Sequence, residues 1–375
     1  MKTEKIQSDV TTVQNDFDYG SLDEGLSKKA KRIKKSLKDV TTDVSTFQKF
    51  AIGYGGLVSD DIRKQVWPKL LEANISDILA KPDSSILQGH RDYNQVVMDV
   101  NRTLKRFPPG MDEDVRLALQ DQLIDLIMRV LVNHEELHYY QGYHDICVTV
   151  LLVVGEDVGF ALMDILSLNH LRDFMDSNMD RTKHMLNYLY PIVGRANPDL
   201  RDFMERSEVG TVFSLSWLIT WFGHVLDDIR HIVRLYDFFI ASHNLMPIYL
   251  AAAIVLYRKE EILSSECEMC VLHCLLSKIP DNLPYEKLIS DAGDLFLQYP
   301  PTQLANEALM AYKKKNDAIK GRRSQVQKIN QKRYPLSKLF TQNGSNILVK
   351  VTLWTFIALL TAGMWSIINT YRDFD

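Results

Sequence analysis

The sequence predicts an almost entirely helical domain, preceded by a polar region and followed by a membrane anchor. From about residue 46, segments with apolar residues at helical spacing follow one another, separated by glycine or proline. Runs that alternate polar and apolar residues, as half-buried strands do, are scarce. The chain has 375 residues and is 46% hydrophobic, which is ample for a packed core. The predicted fold class is therefore all-α.

The first 45 residues are polar and poor in large apolar side chains. They contain a basic run made of Lys28, Lys29, Lys31, Arg32, Lys34, Lys35 and Lys38. Such a composition buries little apolar surface, so we predict a region that is disordered or transiently helical. A solvated tail is the simpler interpretation of the basic run. Contact with anionic lipid or with a partner is the alternative.

The domain, predicted over residues 46–305, contains a helix that presents one arginine to solvent. Its apolar residues form one stripe at about 100° per residue: Tyr93, Val96, Val97, Val100, Leu104 and Phe107. Arg102 points about 170° away from the stripe, with Asp99 on the same polar flank one turn earlier. Asp92 can cap the start, and the Pro-Pro-Gly run that follows should end the helix at about Phe107.

Several other segments are predicted to form the core of the domain. Arg63 and Trp67 stand four residues apart and share one helix face, and Trp67 is most simply a core residue. Residues 112–133 form a strongly apolar helix. The run at residues 212–222 is apolar nearly all round, which favours a buried central helix.

A polar, aromatic turn at residues 138–145 separates two hydrophobic segments. Gly142 in this turn lets the backbone approach another group closely. The turn also holds His144 and Asp145, and Cys147 follows them, which are residue types found in hydrolase sites. Nothing in the sequence orders these three side chains in space, so we do not assign a hydrolase.

Composition and cysteine spacing exclude some classes of function. A net charge of −4 gives no overall bias toward nucleic acid, so no nucleic-acid partner is expected. Cys267, Cys270, His273 and Cys274 are zinc-ligand types, but four side chains on one helix cannot converge on a tetrahedral ion. No metal site is expected. We interpret the three cysteines as small buried residues that share a helix face.

Residues 306–346 are predicted to form a basic juxtamembrane linker. Between residues 313 and 338 there are ten Lys or Arg residues and one acid, Asp317. Large apolar residues are few, so this part should be exposed, either helical or extended. Its charges would hold it against anionic headgroups.

An uncharged run of 18 residues, 351–368, predicts a single-pass transmembrane helix within residues 347–371. At 1.5 Å per residue it spans about 27 Å, close to the thin hydrocarbon layer of the endoplasmic reticulum (ER). Trp354 and Trp365 lie toward its two ends, as interfacial aromatic residues do. With the basic linker, the positive-inside rule places the domain in the cytosol. We expect residence in the ER membrane or the early Golgi.

Three motifs in a fixed order resemble the TBC domain, a helical domain that activates the GTPase activity of Rab proteins. They are Arg63-x-x-x-Trp67, Val96-x-x-Asp99-x-x-Arg102 and Tyr139-x-Gln141-Gly142. Their combination is specific, although each alone would be weak evidence. The resemblance covers roughly residues 55–304 and includes the runs 140–145 and 216–224. One small departure is Val96, where the family often has isoleucine. The resemblance implies a two-lobed, all-α domain.

The resemblance also implies that Arg102 and Gln141 are supplied together to the nucleotide site of a Rab in its GTP form. Residues expected to support the motifs or contact the Rab are Arg63, Trp67, Asp99, Tyr139, Tyr140, Gly142, Tyr143, His144 and Asp145. Among them, Asp99 is expected to restrain Arg102, and Gly142 to let its loop approach the nucleotide. The sequence contains no GxxxxGK[ST] loop, so no cofactor of its own is expected. GTP and Mg²⁺ would be carried by the Rab.

With the anchor, the resemblance implies a Rab GTPase-activating protein of early secretory traffic between the ER and the Golgi. One alternative is a non-catalytic adaptor that uses the same surface to hold a GTPase. Another is a membrane enzyme with its own active site. The presence of both Arg102 and Gln141 favours catalysis in trans.

Overall fold

The structure, a computed structural model, describes residues 24–75, 80–103, 111–280 and 282–313. Within these ranges the chain forms helices and short 3-10 turns and contains no strand, which confirms the all-α fold class. None of the helices in these ranges is long and apolar enough to cross a membrane. The predicted anchor at 347–371 and most of the predicted linker lie outside the described residues.

The helices are short to medium in length and follow one another closely. In chain order they are α1 Glu24–Lys38, α2 Val44–Ile52, α3 Asp60–Leu70, α4 Ser84–Gln88, α5 Tyr93–Arg102, α6 Glu113–Asn133, α7 Tyr143–Val154, α8 Glu156–Leu168, α9 Asp180–Leu186, α10 Leu189–Ala196, α11 Pro198–Arg206, α12 Leu215–Ile219, α13 Ile229–Ile240, α14 Met246–Tyr257, α15 Lys259–Leu263, α16 Met269–Ser277 and α17 Tyr285–Gln298. Residues 301–313 are also helical. The elements up to Tyr312 belong to one compact unit, and the two-lobed arrangement stays a prediction.

The core is built around α7, in which every residue except His144 is buried. Helices α3, α6, α8 and α13 pack against it. Its sequence is apolar nearly all round, so burial of every face is favourable, at about 25 cal/mol per Å² of apolar surface. A second closely packed pair is α14 with α17. The apolar helix predicted over residues 112–133 is confirmed as α6.

A buried ionic cluster joins α3 to α13. Asp237 is fully buried and accepts hydrogen bonds from Arg63 Nε at 3.0 Å, Arg63 Nη2 at 2.9 Å and Trp67 Nε1 at 2.8 Å. The Leu57 amide donates to the same carboxylate at 2.9 Å, and Arg63 Nη1 donates to Asp60 at 2.9 Å. Arg63 and Trp67 therefore support the fold from inside the domain. The core position predicted for Trp67 is confirmed.

The basic run near the N-terminus is a helix packed on the domain, α1, where the sequence predicted disorder or a transient helix. Ile33 is fully buried, and Lys29 Nζ donates to three backbone carbonyls between Phe50 and Tyr54, at 2.6 to 3.1 Å. The prediction was wrong for this helix because the groups that hold it lie in and after α2. The composition of the basic run cannot show that these carbonyl groups are within reach of Lys29. The residues before α1 lie outside the described ranges.

The apolar run at residues 212–222 is buried over most of its length, but it is not one helix. A 3-10 turn leads into α12, and the chain then turns at Trp221 and Phe222, whose φ angles are 46° and 64°. The Phe222 amide closes the turn by donating to the carbonyl of Trp217 at 2.7 Å. Both rings are buried, and their burial offsets the strain of a positive φ. The predicted continuous helix was therefore wrong.

The three clustered cysteines are exposed, so their predicted burial was wrong. In α16 the buried stripe consists of Leu272 and Leu276. Cys270 and Cys274 each precede one of these leucines by two residues and so face the other way. Cys267 lies before the helix begins. Spacing alone could not identify the buried face, because leucines and cysteines share the same period.

Candidate functional site

Helix α5 carries Arg102 at its last position and presents it to solvent. Val96 and Val100 are buried on the other side, as the helical pattern predicted. Asp92 occupies the N-cap position, also as predicted, but its carboxylate caps no amide of this helix. It accepts instead from the backbone amide of Tyr139 at 3.3 Å. The start of α5 is thereby held to the chain that precedes Gln141.

The α-helix α5 ends at Arg102, and the predicted end at about Phe107 lies outside the described residues. Thr103 caps the helix: its Oγ1 donates to the carbonyl of Asp99 at 2.9 Å, taking an acceptor that a helical amide would otherwise use. Residues 104–110 lie outside the described ranges. The consequence is that Arg102 projects from a helix terminus.

Asp99 is buried, with 1% of its surface exposed, whereas the sequence placed it on the polar flank with Arg102. Its carboxylate accepts from Tyr139 O–H and from Gln95 Nε2, each at 3.1 Å. The phenol has a single hydrogen, so it accepts from Nδ1–H of His144 at 2.9 Å. Burial, and then the charge of Asp99, raise the pKa of Tyr139, which keeps this donor protonated. Asp99 therefore fixes α5 to the neighbouring loop through Tyr139, and its expected restraint of Arg102 stays a prediction.

Gln141 and Gly142 form the turn that leads into α7. Gly142 has a φ of 113°, and a Cβ at this position would lie 2.8 Å from Cγ2 of Thr220. Packing within the chain therefore accounts for this glycine, and its predicted role in letting the loop approach a nucleotide stays a prediction. Gln141, one residue earlier, is exposed.

Tyr140 and Tyr143 hold the same turn to the rest of the domain through hydrogen bonds. Tyr140 O–H donates to the carbonyl of Ile219 at 2.9 Å. Tyr143 O–H donates to Ser167 Oγ at 2.7 Å, because the Ser167 hydroxyl is itself a donor to the carbonyl of Met163. Burial raises the pKa of both phenols well above its usual value. These tyrosines position the turn and remain protonated.

Arg102 and Gln141 line one open cleft with a volume of about 730 Å³. The end of α5 and the turn before α7 form two of its walls. A third wall consists of Ser216, Ile219, Thr220, His224 and Asp227. Both Arg102 and Gln141 are exposed, and neither forms a hydrogen bond or ion pair with another residue in the described ranges. The structure therefore brings together the two residues that the motifs paired.

Asp145 lies buried at the base of the cleft between two histidines. The Nε2 atom of His144 is 3.9 Å from Oδ1, and the Nδ1 atom of His224 is 3.5 Å from Oδ2. His144 and Asp145 were predicted as site residues from the sequence, whereas the cleft residues His224 and Thr220 were not. The one sequence feature that could have indicated them was the run at 216–224, which resembled the family but to which no function was assigned. Within the described ranges, no group of His, Cys, Asp and Glu side chains is arranged to hold a metal ion.

Comparison with known families identifies the class of protein. The family model described as the Rab-GTPase-TBC domain matches residues 60–263, which is more than half of the chain. The chain therefore belongs to the RabGAP-TBC family and is a GTPase activator that acts on Rab partners.

Individual relatives and solved structures agree with this assignment. Human TBC1 domain family member 20 is 58% identical over 281 residues, covering 75% of this chain and 70% of that protein. The GTPase-activating protein gyp10 of Schizosaccharomyces pombe is 31% identical over 270 residues, covering 70% of this chain and 72% of that protein. The crystal structure of the Ypt/Rab-GAP domain of Gyp1p has a TM-score of 0.58 at 12% identity and covers 73% of this chain and 98% of that one. That likeness supports the fold alone.

Proposed function

We propose that Arg102 and Gln141 are the groups through which this protein accelerates GTP hydrolysis, entering the nucleotide site of a bound Rab together. The observation that carries the proposal is their shared cleft. Two residues distant in sequence are exposed at one rim, and neither is bonded to a neighbour in the described ranges. The residues beneath them, by contrast, are held by specific hydrogen bonds.

The chemistry of hydrolysis explains why these two residue types are suitable. Negative charge is spread over phosphoryl oxygens in the transition state, and the attacking water must be oriented. The planar guanidinium of Arg102 can donate two parallel hydrogen bonds to such oxygens, whereas lysine has no comparable fork. The amide of Gln141 both donates and accepts, so it can hold the water in line. An arginine supplied in trans raises the rate by about 10³ to 10⁵.

The test is single-turnover hydrolysis of GTP on loaded Rabs, with residues 1–313 of wild type, Arg102→Ala, Arg102→Lys and Gln141→Ala. We expect Arg102→Ala to lose about 10³-fold or more of the stimulation, with Arg102→Lys restoring little of it. Gln141→Ala should also be strongly impaired. Each variant should still bind the Rab. Unchanged stimulation in both alanine variants would overturn the proposal and leave the non-catalytic adaptor.

We further propose that the Rab substrates act in early secretory traffic and that the protein resides in the ER membrane or early Golgi with its domain in the cytosol. The support is the uncharged run at 351–368, its length of about 27 Å and the basic linker before it. A panel of GTP-loaded Rabs assayed against residues 1–313 tests the substrate class. Activity confined to Rabs of other compartments would contradict it.

The location has its own test in cells. Removal of residues 345–375 should release the protein into the cytosol, because the uncharged run predicted to span the membrane, 351–368, is then gone. A matched control replaces residues 351–368 with a leucine and alanine run of equal length, which should keep the protein on membranes. Membrane residence of the truncated protein at the wild-type level would contradict the anchor.

A further inference from the structure

A strip of positive charge runs along the outer side of α1. At about 100° per residue, five cations fall within a stripe of about 120° that lies opposite the buried Ile33. They are Lys28, Lys31, Arg32, Lys35 and Lys38, and all five are exposed. These five residues are called the basic face below. Between its ends the helix rises about 15 Å.

The basic face is held on the domain by well-defined contacts. Lys29, on the inner side of α1, donates to the carbonyls of Phe50, Gly53 and Tyr54. The guanidinium of Arg32 lies 5.7 Å from the centre of the Phe50 ring. The orientation of the helix is therefore fixed, and its cations point away from the core.

Acidic side chains do not neutralise the basic face. Among the described residues, only Lys28 of the five forms an ion pair, with Glu24 in the same helix. Asp39 and Asp43 follow the helix, and hydrogen bonds from residues 41 and 45–46, helped by the nearby charges of Lys35 and Lys49, lower their respective pKa values. Neither carboxylate, however, forms an ion pair with the five cations among the described residues. The positive charge therefore remains available to a partner.

An exposed tyrosine and a half-buried phenylalanine lie beside these cations. A shallow groove between α1 and the end of α2 is lined by Lys28, Arg32, Lys49, Phe50 and Tyr54, among others, and contains no acidic residue. The side chain of Tyr54 is 69% exposed. An exposed tyrosine next to lysines is typical of a surface that meets lipid headgroups, where an aromatic ring and a cation are both favourable.

We propose that the basic face of α1, with Lys49 and Tyr54 beside it, docks the domain on an anionic membrane surface. The cations form a row and do not converge on one point, so they match a plane of headgroups better than a single phosphate. The proposal does not depend on Arg102 and Gln141, since no residue of the basic face lines their cleft. It also uses nothing beyond residue 313.

The test is sedimentation of residues 1–313 with lipid vesicles, since this part forms one compact unit with its own core and lacks the predicted anchor. Vesicles of phosphatidylcholine alone are compared with vesicles that also contain phosphatidylserine. The test variant is Lys31→Gln, Lys35→Gln and Lys38→Gln together, which keeps helix propensity nearly unchanged. The matched control makes the same change at three exposed lysines elsewhere: Lys183, Lys259 and Lys278. Circular dichroism checks that all forms are folded.

Wild type should bind the anionic vesicles and not the neutral ones. Each lysine near such a surface contributes about fivefold in partitioning, so the test variant should bind about 100-fold more weakly. The control should bind like wild type, and about 1 M salt should abolish binding. Failure of wild type to bind, or equal loss in test and control variants, would overturn the proposal. Binding to polyglutamate but not to the anionic vesicles would assign the face to an acidic protein and also overturn it.

Discussion

Arg63 and Arg102 belong to two regions of the same domain that differ in almost every physical respect. Arg63 is buried, and its guanidinium donates to two carboxylates, those of Asp60 and Asp237. Arg102 is exposed at the end of α5 and bonds to no other residue in the described ranges. The first region joins helices, and the second faces a cleft.

The difference shows how one residue type serves two purposes. A buried arginine stabilises the fold only when its donors are paired, because an unpaired buried charge is costly. An arginine that must bond to a partner's phosphate is better left without an ion pair in its own chain, since any such internal bond would have to be broken before the partner could bind. Pairing within the chain therefore separates the structural arginine from the proposed catalytic one.

Arg63→Ala tests the difference between the two arginine regions and should have the largest effect on stability. The change leaves Asp60 and Asp237 buried without their counter-charge and should lower the free energy of unfolding by about 3 to 5 kcal/mol. Urea denaturation of residues 1–313 measures it. Arg102→Ala is the control and should stay within about 0.5 kcal/mol of wild type. Similar losses in the two variants would contradict the contrast between the regions.

Gly142→Ala tests the turn that lies between the buried core and the exposed pair. A φ of 113° strains alanine by about 1 to 3 kcal/mol, and the new Cβ would also press on Thr220. Both stability and stimulated GTP hydrolysis should fall. Adding Thr220→Ser removes the methyl group but keeps the hydroxyl, which donates to the carbonyl of Ser216. The double variant should recover the part of the stability that is lost through contact of the new Cβ with the Thr220 methyl group. No recovery at all would argue against this packing.

Tyr139→Phe removes the donor that links Asp99 to the loop of Gln141. Asp99 would then be buried with one hydrogen-bond partner fewer, which should lower the free energy of unfolding by about 1 to 3 kcal/mol. Helix α5 should also be held less firmly against the loop. Tyr190→Phe is the matched control, because that phenol donates to the carbonyl of Gly210 at 3.2 Å and lines no part of the cleft. Both variants should lose stability in urea, but only Tyr139→Phe should reduce stimulated hydrolysis. Equal activity in the two would contradict the positioning role.

A feature of the fold or of the site could be predicted from the sequence when the residues that cause it lie in the same segment, and not when they lie in a distant one. The outward position of Arg102 followed from the spacing within α5, and its pairing with Gln141 was implied by the family resemblance. Burial of Asp99 could not be predicted, because its partner Tyr139 comes from another segment. The docking of α1 depends in the same way on carbonyls in and after α2. In α16, leucine and cysteine have the same period, so pattern alone was ambiguous.

The smallest expected effect concerns Lys29, which holds α1 to the domain. Burial, and then the charge of Arg234, lower the pKa of Lys29 to about 8, while Asp237 and Glu286 act against the shift. The folded state therefore binds fewer protons than the unfolded state between about pH 8 and the usual pKa of 10.5. Stability from this group rises with pH across that window.

Comparison of wild type with Lys29→Met isolates this contribution. The difference in urea midpoint should move in favour of wild type between about pH 8 and pH 10. Burial also raises the pKa values of Tyr139 and Cys147, which act in the opposite direction, but both groups are present in the two proteins and cancel. A constant difference across the window would contradict the shift.

The burial of α7 has a consequence for motion as well as for packing. Gln141 stands two residues before a helix whose side chains are buried on nearly every face, so its backbone is tied to the part of the domain that opens least. Amide hydrogens within α7 should exchange with deuterium only through global unfolding. The exposed amide group of Gln141 can then rotate on nanosecond timescales while its Cα stays fixed. Heat inactivation should consequently follow global melting, without an earlier local loss of this turn.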